Sequence, residues 1–136
     1  MNQSSISFWA LPSRQTKEYY QNKINSLSER YKSNVFIPHI TIYVGKSTFE
    51  ESRVILSAFI NKQQLTLIPL AVEASAELAK TFYISFKLNL ELQSFCEYIN
   101  DNMSSPSKYV FSPHMSLLYK KFKDNEYFSL LNREVV

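Results

Sequence analysis

At 136 residues, 45% hydrophobic and 15% aromatic, the chain has the length of one domain and enough apolar side chains for a packed interior, which excludes a disordered polypeptide. Fifteen basic residues against twelve acidic ones give a net charge of +3, well mixed along the chain, which permits an anionic ligand but does not demand a nucleic-acid groove. One cysteine and two histidines exclude an internal disulfide and leave too few ligands for a Cys/His zinc site.

"SISFWALP" (5–12) reads as a strand stopped by Pro12. Tyr20, Ile24, Leu27 and Tyr31 recur at helical spacing and predict an amphipathic helix, with Ser13 or Thr16 as its N-cap. "VFIPHITIYVG" (35–45) is β-branched and aromatic and reaches the chain's only glycine, which predicts a strand. "STFEESRVILSAFINK" (47–62) opens with hydroxyl residues followed by Glu50 and Glu51, the pattern of a helix N-terminus. "LTLIPLAVEAS" (65–75) and "TFYISFKL" (81–88) are strand-like, and Pro69 marks the first as an edge or a bulge. A third helix is expected over 89–103, where apolar spacing makes Cys96 a buried structural thiol. A loop at 104–108 and a strand at 109–119 follow. The basic run "YKKFK" (119–123) reads as a solvated helix start, before a last short helix or frayed tail.

The expected order is thus β-α-β-α-β-β-α-β-α, an α+β chain with its two histidine strands in different halves. No apolar run reaches the length of a membrane span, and the first twelve residues lack a basic stretch leading into a long apolar one. A cytoplasmic location with no membrane partner is expected from this and from the cysteine usage.

Both histidines stand in the same local pattern, "FIPHITIY" (36–43) and "FSPHMSLLY" (111–119). Each follows a proline and precedes a hydroxyl residue by two positions. On a strand, residues two apart point the same way, about 6–7 Å from each other. His39 therefore shares a face with Thr41, and His114 with Ser116, while Ile40, Ile42, Val44, Met115 and Leu117 are available to the core. If the two halves face each other, two imidazoles and two hydroxyls converge. Imidazole, with an ordinary pKa near 6.5, serves as base in one copy and acid in the other at neutral pH. The hydroxyls can hold the oxygens of a tetrahedral anion, so the set suits in-line displacement at phosphorus without a metal. A lone histidine in an apolar strand is ordinarily a satisfied core residue. Two copies that use every histidine in the chain are hard to attribute to packing. A serine nucleophile on a glycine-rich elbow, a P-loop and a dinucleotide fingerprint all require glycines that this chain lacks.

"PHIT" (38–41) and "PHMS" (113–116) resemble the paired H-x-T/S motifs of the two-histidine (2H) phosphoesterase superfamily. With "SFWALP" and "FSPHMSLLY" the likeness extends over about residues 5–125 to its cyclic phosphodiesterase branch. The resemblance implies one bilobed domain over 1–136: two pseudo-symmetric lobes of antiparallel sheet with flanking helices around a central cleft. It implies metal-independent opening of nucleoside 2′,3′-cyclic phosphates or of ADP-ribose 1″,2″-cyclic phosphate, a by-product of tRNA splicing, with no cofactor and no metal. His39 and His114 would be the acid/base pair, with His114 as base and His39 as acid, and Thr41 and Ser116 would bind the phosphate. Trp9 matches a base-stacking position, with a core tryptophan as the competing account. Tyr119 matches a phosphate-binding position, although strict alternation puts it on the face opposite His114 and needs a strand end or bulge to bring it round. Cleavage of 2′-5′ oligonucleotides, trimming of RNA 3′ ends and a non-catalytic nucleotide- or RNA-binding role remain alternatives. The chain stops earlier after its second motif than members of that branch do. An incomplete C-terminal part would leave a sheet edge open, consistent with a monomer or a weak dimer.

Overall fold

The computed structural model describes residues 3–59, 64–123, 126–134 and 136. The fold is α+β. Strands β1 (Ser4–Ala10), β2 (Ile40–Ser47), β3 (Pro69–Ala74), β4 (Phe82–Phe86) and β5 (His114–Leu118) alternate with helices α1 (Arg14–Tyr31), α2 (Phe49–Ser57), α3 (Leu90–Asn102) and α4 (Leu130–Arg133), in the order expected from the sequence. Its residues form two compact units that interleave along the chain, and one of the five boundaries between them falls inside β2, between Ile40 and Thr41.

One unit holds positions 11–40, 68–87 and 114–136. Here β5 pairs antiparallel with β4, β4 with β3, and Ile40 at the start of β2 with Met115 of β5. Ile24, Leu27 and Tyr31 of α1 pack on Phe82, Ile84, Leu117 and Leu118 of the strands and on Leu130 of α4. The spacing that predicted α1 is thus the spacing of its buried face. Ser13 stands at the N-cap without accepting from the helix, and its hydroxyl donates to Thr16 Oγ1 at 3.1 Å. The helix ends at Lys32, whose φ of 56° is the left-handed turn that a glycine usually supplies. As Pro69 suggested, the β3–β4 register shifts between Pro69 and Ala71. The 3-10 turn Leu78–Lys80 is fastened to the chain beyond β5 by buried Thr81, whose hydroxyl donates to the Lys120 carbonyl at 2.8 Å and accepts from the Lys120 amide at 3.0 Å. The basic run "YKKFK" is in neither a helix nor a strand, and Lys120 Nζ donates to the Tyr31 carbonyl at 2.6 Å.

The other unit holds positions 1–10, 41–67 and 88–113. β1 is hydrogen-bonded beside β2. Phe8 of β1 meets the fully buried Tyr43 ring edge-on, and the Tyr43 hydroxyl donates to Asn100 Oδ1 of α3 at 2.6 Å and accepts from the Ser107 amide at 2.9 Å. Gly45 lies within β2 rather than at its end, and a Cβ there would come within 2.9 Å of the Tyr43 ring. Thr48 caps α2 by accepting from the Glu51 amide at 3.1 Å, as the sequence pattern implied, and the Glu51 carboxylate accepts from the Ser104 hydroxyl at 2.6 Å. That contact with Ser104 holds the carboxyl below its usual range. The expected helix extended to 62; its described part ends at Ser57, and positions 60–63 lie outside the described residues.

Both histidine strands are shorter than their apolar runs. β2 starts two residues after Pro38 and β5 directly after Pro113, since a proline has no N–H to give a ladder. Leu117 is fully buried among the α1 side chains, so Leu117→Ala is expected to lower the unfolding free energy by about 2–5 kcal/mol, read from urea denaturation of the two proteins.

Candidate active site

Four of the six candidate residues, His39, His114, Ser116 and Tyr119, fall in the same unit, and Thr41 and Trp9 fall in the other. The antiparallel partnership of Ile40 with Met115 sets position 39 beside position 116. Ile40 and Met115 are buried at 5% and 3% exposure, so their side chains face the interior and the flanking positions face the other way. The ladder continues across β4: Ser116 pairs with Tyr83, and His114 with Ser85. Reading across the strands, His39, Ser116 and Tyr83 form one row on this face, with Glu73 of β3 as the next partner of Tyr83.

His39 is nearly buried, and its Nδ1 lies 2.7 Å from the Ile37 carbonyl. A carbonyl can only accept, so Nδ1 carries the proton and, in the neutral ring, Nε2 carries the lone pair. Burial pushes the His39 pKa below its ordinary 6.5, and the bond to Ile37 opposes this only in part. The Phe36 ring stands edge-on to the imidazole, centroids 6.3 Å apart. His114, less buried, has the Tyr83 ring edge-on at 5.5 Å.

Ser116 is buried and its hydroxyl donates to the Ala79 carbonyl in the 3-10 turn at 2.8 Å. Tyr119 lies just past the end of β5, where strand alternation no longer binds it. Burial pushes its phenol up, and the nearby Ser116 side chain opposes this only in part. Its ring lies 4.2 Å from that of Phe36. β5 ends at Leu118, one residue before Tyr119.

In the other unit, Thr41 is partly buried and its carbonyl accepts from the Tyr109 hydroxyl at 3.3 Å. Trp9 is 43% exposed on β1 and donates through Nε1 to Ser7 Oγ at 2.8 Å, which sets aside the core-tryptophan account. Cys96 is buried as expected, its thiol pushed up by burial. It lines a cavity of about 400 Å³ with Glu97, Asn100, Tyr109 and Phe111, and none of the six candidate residues is among that cavity's walls.

Phe36 and Tyr83 were missed as functional candidates. Phe36 is the first letter of "FIPHITIY", so it was in view as part of the motif's pattern. Tyr83 carries no such signal, because only the β4–β5 register puts it beside Ser116. The motif's other aromatic, Phe111, is buried in the unit of α3.

No family model matches the chain. A cyclic phosphodiesterase of Arabidopsis thaliana is similar at 20% identity over 122 residues, which are 88% of this chain and 67% of that protein. The likeness supports a cyclic-phosphodiesterase-like hydrolase. Among the described residues, no helix is long and apolar enough to cross a membrane.

The folded state favours neutral His39, whereas the unfolded chain takes up a proton there as the pH falls through about 6.5. The stability this histidine contributes is present above pH 6.5 and is lost as the pH falls through its lower folded value. The ring C–H resonance of His39, one of only two such histidine signals, is expected to titrate below 6.5 in the folded protein.

Proposed function

We propose that the chain is a metal-independent phosphodiesterase of the two-histidine type, opening nucleoside 2′,3′-cyclic phosphates with His39 and His114 as the proton-transfer pair. ADP-ribose 1″,2″-cyclic phosphate, with the same strained five-membered phosphate ring, belongs to the same substrate class. The observation that carries this reading is the Ile40–Met115 register, which brings the two copies of the motif onto neighbouring strands. The Arabidopsis relative supports it by its name.

In this reading a water attacks phosphorus in line with one ring oxygen. A neutral imidazole takes the water's proton as the new P–O bond forms, and the second imidazole, protonated, gives a proton to the departing oxygen as the old bond breaks. The product is an acyclic phosphate monoester with one free hydroxyl. We assign the base to His39, the reverse of what the family resemblance implies. The support for this is its Nδ1–H bond to Ile37 and its burial, which together favour a neutral ring with its lone pair on Nε2. Ser116 would hold a phosphate oxygen, and Thr41 in the other unit carries a hydroxyl of the same kind. Ser116 must then turn its hydroxyl from the Ala79 carbonyl to the anion, trading a neutral hydrogen bond for a charge-assisted one. Tyr119, just past β5, would add a phenolic donor, and Trp9, exposed on β1, offers a ring on which a base can stack.

Turnover of 2′,3′-cyclic AMP in excess EDTA is the direct test. His39→Ala and His114→Ala are each expected to lower kcat by a factor of about 10²–10⁴, the usual worth of a general acid or base. The wild-type rate should be bell-shaped in pH, since one imidazole must be neutral and the other charged. Undiminished turnover in both variants would sink the proposal, and binding of a nucleoside 2′-phosphate without turnover at any pH from about 5 to 8 would select a binding module instead.

A further inference from the structure

Each motif histidine has an aromatic ring set edge-on against it, and neither ring belongs to the motif's polar pair. Phe36 meets His39 at 6.3 Å and an interplanar angle of 79°. Tyr83 meets His114 at 5.5 Å and 74°. The two contacts have the same geometry but different origins. Phe36 comes from the segment leading into β2, where Gln21 of α1 holds its carbonyl through Nε2 at 2.9 Å. Tyr83 comes from β4, fixed by its pairing with Ser116. Edge-to-face packing of this kind restricts the rotation of both rings and is directional, unlike aliphatic contact.

Both aromatic residues are themselves anchored. Phe36 packs against the core of its unit and meets the Tyr119 ring at a tilt, centroids 4.2 Å apart, so one ring touches the first histidine and the tyrosine that follows β5. Tyr83 carries the Lys80 ammonium over its ring, 5.6 Å from the centroid. Burial, with the charges of Glu73 and Glu77 added to it, pushes its phenol above the usual range. A phenol that remains neutral offers the histidine a ring and no charge.

We infer that Phe36 and Tyr83 are positioning residues, one for each histidine, that hold the two imidazoles at the angles proton transfer requires. The inference rests on the catalytic reading of His39 and His114. It assigns Tyr83 a role through its ring rather than through its hydroxyl, and Phe36 a role that an aliphatic side chain of equal bulk does not replace. In-line displacement tolerates little error in the placement of its base and acid, and a misplacement of about 1 Å can cost a factor of about 10².

The test compares wild type, Phe36→Met, Tyr83→Leu and Tyr83→Phe on 2′,3′-cyclic AMP, with the ring signals of the two histidines followed by NMR across pH. Methionine keeps the bulk of Phe36 and preserves the fold, which the NMR spectrum reads independently of turnover. Phe36→Met and Tyr83→Leu are expected to lower kcat about tenfold with KM within about twofold, and Tyr83→Phe to stay within about twofold of wild type. In Phe36→Met the His39 titration should shift from its wild-type position as the imidazole loses its edge-on partner. Unchanged kcat in both ring-removing variants overturns the inference, and so does a Tyr83→Phe variant as slow as Tyr83→Leu, which would place the effect in the hydroxyl. Wild-type protein without turnover overturns the catalytic reading itself, and is distinguishable because the NMR comparison still reports whether Phe36 governs His39.

Discussion

One antiparallel pairing, Ile40 against Met115, fixes where everything else on the candidate face stands. Both side chains are buried, and because side chains alternate along a strand, burying these two turns their neighbours to the opposite side. A slip of one residue would exchange the faces of His39 and Ser116 with those of the two apolar side chains, at a cost set by lost apolar packing and stranded polar groups. The hydrophobic effect thus holds a polar arrangement in place without touching it. The register also extends the face sideways through β4, which is how Tyr83 comes to sit beside Ser116.

The polar groups on that face are engaged with the protein's own backbone. His39 is tied to Ile37, which selects its tautomer, and Ser116 is tied to Ala79, which occupies its hydroxyl proton. The two ties differ in kind. The first leaves the lone pair of the neutral ring on Nε2, on the far side from Ile37. The second competes with any anion for the same donor, and its geometry depends on a 3-10 turn that Thr81 fastens to Lys120.

Much of this was legible in the sequence because it depends on short-range rules. Periodicity located α1 and its buried face, hydroxyl and acidic residues located the start of α2, and Pro69 announced the irregularity in β3. The recurrence of Pro-His-apolar-hydroxyl singled out four of the candidate residues before any geometry was known. The prolines that made the recurrence visible also shortened both strands, an effect on backbone pairing that apolar patterning does not register. Gly45 looked like punctuation and turned out to make room for a tyrosine ring, because side-chain lean along a strand is invisible to composition. Tyr83 and Ala79 could not be read at all. Their places depend on which strands pair and at what offset, and pairing partners far apart in the chain leave no local mark.

The interleaving of the two units bears on how the protein is made. The unit that carries both histidines draws on three separate stretches, 11–40, 68–87 and 114–136, and its decisive pairing joins positions 40 and 115. Closing a loop of that span costs chain entropy before any contact compensates for it, and strand pairings of long sequence separation are slow to form. A nascent chain emerging from the ribosome can fold α1 early, but it holds two unconnected histidine segments until β5 has left the exit tunnel. The face is therefore a late product of folding, and no fragment that ends before the second motif can display it.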